Sequence, residues 1–162
     1  MFATTKQTLR PAFDSAVRVL VEKIPRSVVW ALAGGGAVYL QGRARHPADL
    51  DIQCDGEGAY RIAELFPDSI TLPTAYRETH AIKSYYGVLE IEGVVVELVG
   101  QLSRRFETGW ETPVVVKGQR RWVRYRNTDI PVMSLEYELY SKQNLGQQEK
   151  AREIEQLLQS GS

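Results

Sequence analysis

Apolar positions near the start of the chain follow first a helical and then a strand-like spacing. After Pro11, apolar side chains recur at positions 13, 16, 17, 20, 21 and 24, which is the three-and-four spacing of a helix with one buried face. Proline is favourable in the first turn of a helix, and Pro25 is expected to end this one. The run "SVVWALA" (27–33) is apolar, rich in β-branched residues and followed by glycines, so it predicts a fully buried strand.

A helix, a strand and a second helix follow the glycines. The segment "AVYLQGR" predicts a short helix that stops near Gly42. The segment "ADLDIQC" (48–54) alternates, with Leu50 and two further apolar residues on one face and two aspartates and Gln53 on the other, which predicts a half-buried strand. The segment "GEGAYRIAELFP" (56–67) predicts an amphipathic helix.

Strand patterns dominate the next part of the chain. Residues 81–100 predict two strands that reverse at "EG", where Gly93 is free to adopt a positive φ. Residues 112–126 predict a second hairpin, which turns at Lys117 and Gly118.

Two helices are expected from about residue 134. Ser134 can cap the first of these helices, and the negative charges of Glu136 and Glu138 in its first turns interact favourably with the helix dipole. A last helix follows the "NLG" break and carries an apolar stripe at positions 154, 157 and 158. The whole order of elements predicts an α+β fold, an α/β sandwich in which a mixed β-sheet is flanked by helices.

Length and composition are those of an ordinary globular protein. The chain has 162 residues, of which 43% are apolar and 25% charged, so we expect a single domain over residues 1–162. Twenty basic residues balance twenty acidic ones, and no whole-molecule field would attract nucleic acid or a membrane surface. No segment resembles a signal peptide or a membrane span, and we expect a cytoplasmic protein without a membrane partner.

The cysteine and histidine content excludes two classes of structure. Cys54 is the only cysteine, so no internal disulfide can form. With only His46 and His80 beside it, no zinc-finger spacing can be built. We expect Cys54 to be a small core residue rather than a reactive thiol.

The two aspartates of the alternating strand are the first candidate for chemistry. At i and i+2 on one face, Asp49 and Asp51 have Cβ atoms about 7 Å apart. Like charges this close repel one another unless a cation or water lies between them. Oxygen ligands of this kind suit Mg²⁺ or Mn²⁺. The alternative is that both residues mark the solvated face of an edge strand.

A third carboxylate lies in the apolar run "VVVELV" (94–99). Burying an unpaired Glu97 carboxylate there would cost several kcal/mol of desolvation free energy, so this residue needs a metal, another cation or a hydrated cleft beside it. If its strand neighbours the Asp49 strand, three carboxylates meet. The alternative is that Glu97 pairs with a lysine or arginine on an exposed face.

Three glycines link the first predicted strand to the following helix. Gly34, Gly35 and Gly36 would let the backbone approach a ligand closely, and N–H groups at a helix start favour phosphate. A tight strand-to-helix turn would need glycine in any case. The segment matches neither the dinucleotide-binding fingerprint nor a P-loop.

Taken together, these motifs resemble the nucleotidyltransferase superfamily of DNA polymerase β type, particularly its small bacterial single-domain members. The family pattern is a strand, a glycine turn into a helix, an h-D-h-D-h strand and a further acid on a later strand. The three glycines, Asp49, Asp51 and Glu97 match it in order, and the similarity covers about residues 10–158. The chain departs from the pattern at Gly36, where a serine sometimes contacts phosphate, and at "QQ" (147–148), where many relatives have a basic residue.

The resemblance implies transfer of a nucleoside monophosphate from an NTP, most readily ATP, to a hydroxyl with release of pyrophosphate. Asp49 and Asp51 would hold two Mg²⁺ ions, and Glu97 would complete the second site and could accept the acceptor's proton. The cations placed to meet phosphate charge are Arg43, Arg45 and Lys142, although a solvated surface role stays open for each.

Three expectations about partners follow from the same resemblance. The acceptor could be a small molecule, a protein or an RNA. A partner chain or a homodimer could complete the cleft. The competing interpretation is a non-catalytic nucleotidyltransferase-fold module, antitoxin-like or regulatory, that works by binding a partner protein.

Two further features carry weaker signals. The segment "KGQRRWVRYR" (117–126) interleaves basic and aromatic residues, which would suit nucleic acid, although charges that protect an exposed strand edge explain it too. His46 could lean over the metal site or be an ordinary loop residue.

Overall fold

The computed structural model describes residues 2–161, and these build one mixed β-sheet with helices on its faces. The strands are β1 (Phe2–Thr4), β2 (Trp30–Ala33), β3 (Leu50–Cys54), β4 (Ile70–Glu78), β5 (Ile82–Ile91), β6 (Val94–Phe106), β7 (Gly109–Trp110), β8 (Arg120–Tyr125) and β9 (Thr128–Met133). The helices are α1 (Pro11–Lys23), α2 (Gly34–Leu40), α3 (Gly58–Leu65), α4 (Val116–Gln119), α5 (Leu135–Asn144) and α6 (Gln148–Ser160). The predicted α+β fold class is confirmed.

The order of the strands places β3 near the middle of the sheet. The order is β1-β8-β9-β2-β3-β6-β5-β4, and β7 pairs with the end of β6. Strand β3 is antiparallel to β2 and parallel to β6, and Asp51 lies opposite Glu97. The register therefore puts these two carboxylates on adjacent strands and on the same face of the sheet.

Both faces of the central strands are buried. On one face, helices α1 and α3 pack over Leu50, Ile52 and Leu98 in the main core. On the other face, Ala31 and Met133 pack with Tyr137 of α5 in a second, smaller core. The predicted alternation of the 48–54 segment is thus correct for its apolar face, and its polar face is covered in part, since Gln53 is buried and the two aspartates are partly buried.

Several predicted elements are confirmed with small shifts at their ends. Helix α1 begins at Pro11 and ends before Pro25, and its apolar stripe lies in the main core. Gly93 adopts φ +76° at the turn between β5 and β6. The Ser134 side chain caps α5 by accepting a hydrogen bond from the Tyr137 N–H at 3.1 Å.

The hairpin predicted for residues 112–126 is wrong. Lys117 and Gly118 lie in the short helix α4, and β8 pairs with β9 instead. The reason lies in contacts distant in sequence, since both carboxylate oxygens of Asp55 accept the N–H groups of Val116 and Lys117 at 2.7 and 3.0 Å. The reversal occurs at Arg126 and Asn127, which adopt φ +46° and +65°.

Four strands and one helix start also differ from the sequence prediction, and the short strands β1 and β7 are two of the four. Strands β4 and β9 were not predicted, because Pro73 and Pro131 interrupt their patterns. Helix α2 begins at Gly34 itself rather than after the three glycines. None of the helices within residues 2–161 is both long and apolar enough to cross a membrane.

Helix α5 is held on β6 by a buried arginine. Arg104 donates to both carboxylate oxygens of Glu111, at 2.8 and 3.0 Å, and these two side chains are 8% and 4% exposed. Two further N–H groups of Arg104 donate to the hydroxyls of Tyr137 and Ser141 on α5. The position of α5 therefore depends on a buried charge pair whose arginine also hydrogen-bonds to two residues of this helix.

Replacing Arg104 should destabilise the protein strongly. The substitution Arg104→Met leaves Glu111 buried without its partner, and we expect a loss of about 3–5 kcal/mol in the free energy of unfolding. Urea denaturation monitored by circular dichroism measures it. The matched control is Arg105→Met at the neighbouring exposed residue, for which we expect about 0.5 kcal/mol or less. Equal losses in the two variants would contradict a special role for Arg104.

Candidate active site

Three carboxylates meet where β3 and β6 run side by side. Asp51 and Glu97 are paired in register, and Asp49 directly precedes β3. One carboxylate oxygen of each lies within 4.8 Å of the others, and all three side chains are partly buried. The structure therefore brings together the three acids that the sequence analysis singled out.

The electrostatics of this cluster favour a bound cation. Burial, a hydrogen bond with Glu97 and the charge of Asp49 together raise the pKa of Asp51 to about 8. Burial and the charge of Glu97 raise the pKa of Asp49 as well. A divalent cation between the carboxylates would replace repulsion by attraction, and an all-oxygen set of this size fits Mg²⁺ or Mn²⁺. The residues present are thus suited to the metal that the resemblance implies.

The glycine turn comes close to this cluster. Gly34 adopts φ +59°, and a Cβ atom there would lie 2.7 Å from Asp51 Oδ2, so a side chain at this position would collide with the carboxylate. A Cβ atom on Gly35 would lie 3.1 Å from Arg43 Nη2. Gly36 is buried and faces Leu50, so it belongs to the core side of the turn.

Sequence reasoning missed the residue that holds the glycine turn. The Gly34 N–H donates to Glu138 Oε2 at 3.1 Å, so this group is not free for phosphate. Glu138 is only 2% exposed, and burial raises its pKa while the Gly34 N–H and the charge of Lys142 act in the opposite direction. The sequence assigned Glu138 only to the start of a helix, and no local signal indicates a contact across 104 residues.

A cavity of about 360 Å³ opens beside the carboxylates and the glycine turn. Its lining contains both aspartates, Gly34 and Gly35, together with four cationic side chains, namely Arg43, Arg45, Lys142 and Lys150. Arg43, Arg45 and Lys142 were predicted from the sequence, whereas Lys150 was not. The cavity therefore has carboxylates at one side and a concentration of positive charge elsewhere in its wall.

The cations differ in how firmly they are held. Arg43 donates to the backbone oxygens of Gly35 and Arg45 at 3.2 and 3.0 Å, and burial and the charge of Arg45 lower its pKa. Burial also lowers the pKa of Lys142, although Glu138 opposes this. The Arg45 side chain is 59% exposed and lies 3.6 Å from Glu153. Arg43 is thus held by hydrogen bonds and Lys142 is partly buried, whereas Arg45 is largely exposed.

His46 lies in the same cavity wall. Its ring stacks on Tyr39 with 4.5 Å between ring centroids, and its Nδ1 atom is buried without a hydrogen-bond partner. The histidine is therefore fixed by packing rather than by polar contacts.

Ion pairs occupy most of the basic residues of β8. Arg124 pairs with Asp129 at 3.0 Å, and Arg120 donates to the Trp30 backbone oxygen at 3.1 Å. Arg121 lies 3.7 Å from Glu136. These contacts favour the interpretation of this segment as a charge-protected part of the sheet near its β1 edge.

Comparison with known proteins gives a consistent family and fold. The family model for aminoglycoside-2''-adenylyltransferase matches residues 17–159. A Thermotoga maritima protein assigned as a nucleotidyltransferase is 34% identical, with a TM-score of 0.82, and the match covers 96% of this chain and 98% of that one. No curated protein matches the chain.

Two solved antibiotic-modifying enzymes share the fold at low identity. The lincosamide antibiotic adenylyltransferase LnuA, bound to lincomycin, is 12% identical with a TM-score of 0.58, over 93% of this chain and 99% of that one. The enzyme ANT(2'')-Ia, in complex with adenylyl-2''-tobramycin, is 13% identical with a TM-score of 0.52, over 88% of this chain and 85% of that one.

The raised pKa of Asp51 predicts a pH-dependent stability of the metal-free protein. Because the folded state binds this proton more tightly than the unfolded state, stability should fall as pH rises from about 4 towards 8. Asp51→Asn removes this loss, and we expect it to stabilise the protein at pH 8 by about 1–3 kcal/mol. Thermal and urea unfolding in the presence of a chelator measure the difference.

The control for this prediction is Asp68→Asn, at an exposed aspartate in the 3-10 turn before β4. Its stability should follow the parent protein at every pH. A constant difference between Asp51→Asn and the parent from pH 4 to pH 8 would contradict the prediction.

Proposed function

Because the chain belongs to the aminoglycoside-2''-adenylyltransferase family, we propose that it transfers a nucleoside monophosphate from an NTP, with ATP as the preferred donor, to a hydroxyl group. The observation that carries this proposal is the meeting of Asp49, Asp51 and Glu97 beside the glycine turn. We further propose that the whole chain forms one nucleotidyltransferase-like domain, since β1 to β9 share one sheet and α6 packs on α2 and α5.

The three carboxylates are the proposed ligands for divalent metal. Asp49 and Asp51 face the cavity and would hold the ions, and Glu97 would complete the set from β6. Mg²⁺ in this site would neutralise phosphate charge and lower the pKa of the acceptor hydroxyl. The cost of holding three like charges together is the physical reason to expect a cation there.

The cationic wall of the cavity is the proposed site for the triphosphate. Lys142 from α5 and Lys150 from α6 approach from the helices, and Arg43 approaches from the segment after α2. Lys142 is held partly desolvated, which strengthens its attraction for phosphate. Gly34 and Gly35 let the turn lie close to Asp51 and Arg43, because a side chain at either position would meet one of these groups.

Glu97 is the proposed proton acceptor. In the transfer, the acceptor oxygen bonds to the α-phosphorus while the bond from this phosphorus to the bridging oxygen breaks, and pyrophosphate leaves. The acceptor's proton passes to the Glu97 carboxylate. Most of the rate enhancement in such a reaction comes from positioning and charge stabilisation, which the fixed carboxylates and cations can provide.

A small-molecule hydroxyl is the acceptor class that we favour. The family is named for an enzyme that adenylylates an aminoglycoside, and LnuA and ANT(2'')-Ia hold small antibiotic molecules. A protein or RNA acceptor, and a partner chain or homodimer that completes the cleft, stay predictions from the sequence.

Nucleotide binding should depend on both metal and carboxylates. Calorimetric titration with a non-hydrolysable ATP analogue should show binding that weakens at least about 10-fold when Mg²⁺ is removed. Asp49→Asn, Asp51→Asn and Glu97→Gln should each weaken Mg²⁺-dependent binding about 10-fold or more. Glu90→Gln, at an exposed glutamate on neighbouring β5, is the control and should bind like the parent. Absence of nucleotide binding under all conditions would favour the non-catalytic binding module instead.

The position of a label in ATP tests the reaction itself. Label at the α-phosphate should pass to an acceptor fraction from a cell extract, whereas label at the γ-phosphate should appear in pyrophosphate. The transfer should be lost in Asp51→Asn and kept in Glu90→Gln. Release of γ-label as inorganic phosphate without α-transfer would indicate a nucleotide hydrolase and contradict the proposal.

A further inference from the structure

A tyrosine contacts the carboxylate cluster from the side opposite to the cavity. On β5, Val88 lies opposite Glu97 and Tyr86 lies opposite Val99. Tyr86 is therefore the diagonal neighbour of Glu97 on the same face of the sheet. Its hydroxyl donates a hydrogen bond to Glu97 Oε1.

The position of this contact separates it from the nucleotide side of the site. Residues that line the cavity come from α2, the segment that follows it, β3, α5 and α6. In the strand order, β6 lies between β3 and β5, so Glu97 stands between Asp51 and Tyr86. The phenol thus contacts Glu97 from the side that lies away from the proposed triphosphate site.

Burial alone does not require this hydrogen bond. Tyr86 and Glu97 are both only partly buried, so neither side chain needs this contact merely to lie inside a closed core. A free glutamate side chain samples many rotamers, and ordering it costs conformational entropy. A donor fixed on the neighbouring strand meets part of this cost before any ligand arrives.

We propose that Tyr86 is a positioning residue for the metal-binding carboxylate Glu97. The phenol holds Oε1 and thereby orients the carboxylate towards the two aspartates, so that Glu97 is pre-arranged to complete the metal set and to face an acceptor. The inference rests on the proposed function, since it assigns Tyr86 a role in that same site. Groups that orient metal ligands in this way usually affect metal affinity or activity 10–100-fold.

The neighbouring residue provides a matched control. Tyr85 points to the other face of β5, where its ring packs against the main core and lies 5.7 and 5.5 Å from the rings of Tyr60 and Tyr76. Tyr85→Phe and Tyr86→Phe therefore remove the same hydroxyl from adjacent positions of one strand, but only the second change affects Glu97.

Direct metal binding is the primary measurement. Mn²⁺ is titrated into the full chain and the free ion is followed by electron paramagnetic resonance. Tyr86→Phe should weaken Mn²⁺ affinity about 10-fold, and Tyr85→Phe should leave it unchanged. Binding of ATP in the absence of metal should be the same in both variants, because the cationic wall is untouched. A parallel loss of metal-free ATP binding would indicate general structural damage and overturn the inference.

A double-mutant cycle tests whether Tyr86 acts through Glu97. In the Glu97→Gln background, adding Tyr86→Phe should cause no further loss of Mn²⁺ affinity, whereas independent effects would add. Additive losses, or parent-like affinity in Tyr86→Phe alone, would overturn the role of Tyr86 while leaving the proposed function in place. Absence of Mn²⁺ binding by the parent protein would instead overturn both proposals.

Discussion

Asp51 and Glu97 lie side by side on the neighbouring parallel strands β3 and β6. With Asp49 they form a partly buried cluster in which one carboxylate oxygen of each residue lies within 4.8 Å of the others. Burial of Asp51 and its interactions with the neighbouring carboxylates raise its pKa to about 8. A fold that keeps them together must supply stability elsewhere, which is typical of sites shaped for a ligand. The buried β2–β3–β6 centre of the sheet supplies it, since Leu50 and Leu98 are fully buried on its other face.

The layer above the carboxylates is organised by contacts that serve both structure and site. Arg104 joins β6 to α5 through Glu111 and two hydroxyls, and this fixes the helix that carries Glu138 and Lys142. Glu138 in turn binds the Gly34 N–H at the turn, where only a residue without a side chain fits beside Asp51. The glycine turn, the carboxylates and the cationic wall are therefore linked through α5. A displacement of this helix should change the positions of all three.

Local patterns predicted the elements whose signals are local. The stripe after Pro11 and the glycine at position 93 produced the expected helix and turn, because periodicity and a positive φ depend on neighbouring residues. The pattern failed for residues 112–126, where Asp55 caps α4 from a distant part of the chain. The local pattern also failed to predict β9, because Pro131 interrupts the strand pattern although β9 lies in the interior of the sheet.

By itself, the sequence determined the α+β class and named Asp49, Asp51 and Glu97, because carboxylates in these contexts are costly without a ligand. The family resemblance added three of the four cavity cations. Only the tertiary structure decided that Gly34 binds Glu138, that Lys150 joins the cationic wall and that Tyr86 holds Glu97. These contacts join residues on different elements, and their formation depends on strand order and register. Strand order and register follow from the packing of the whole core, which no local pattern contains.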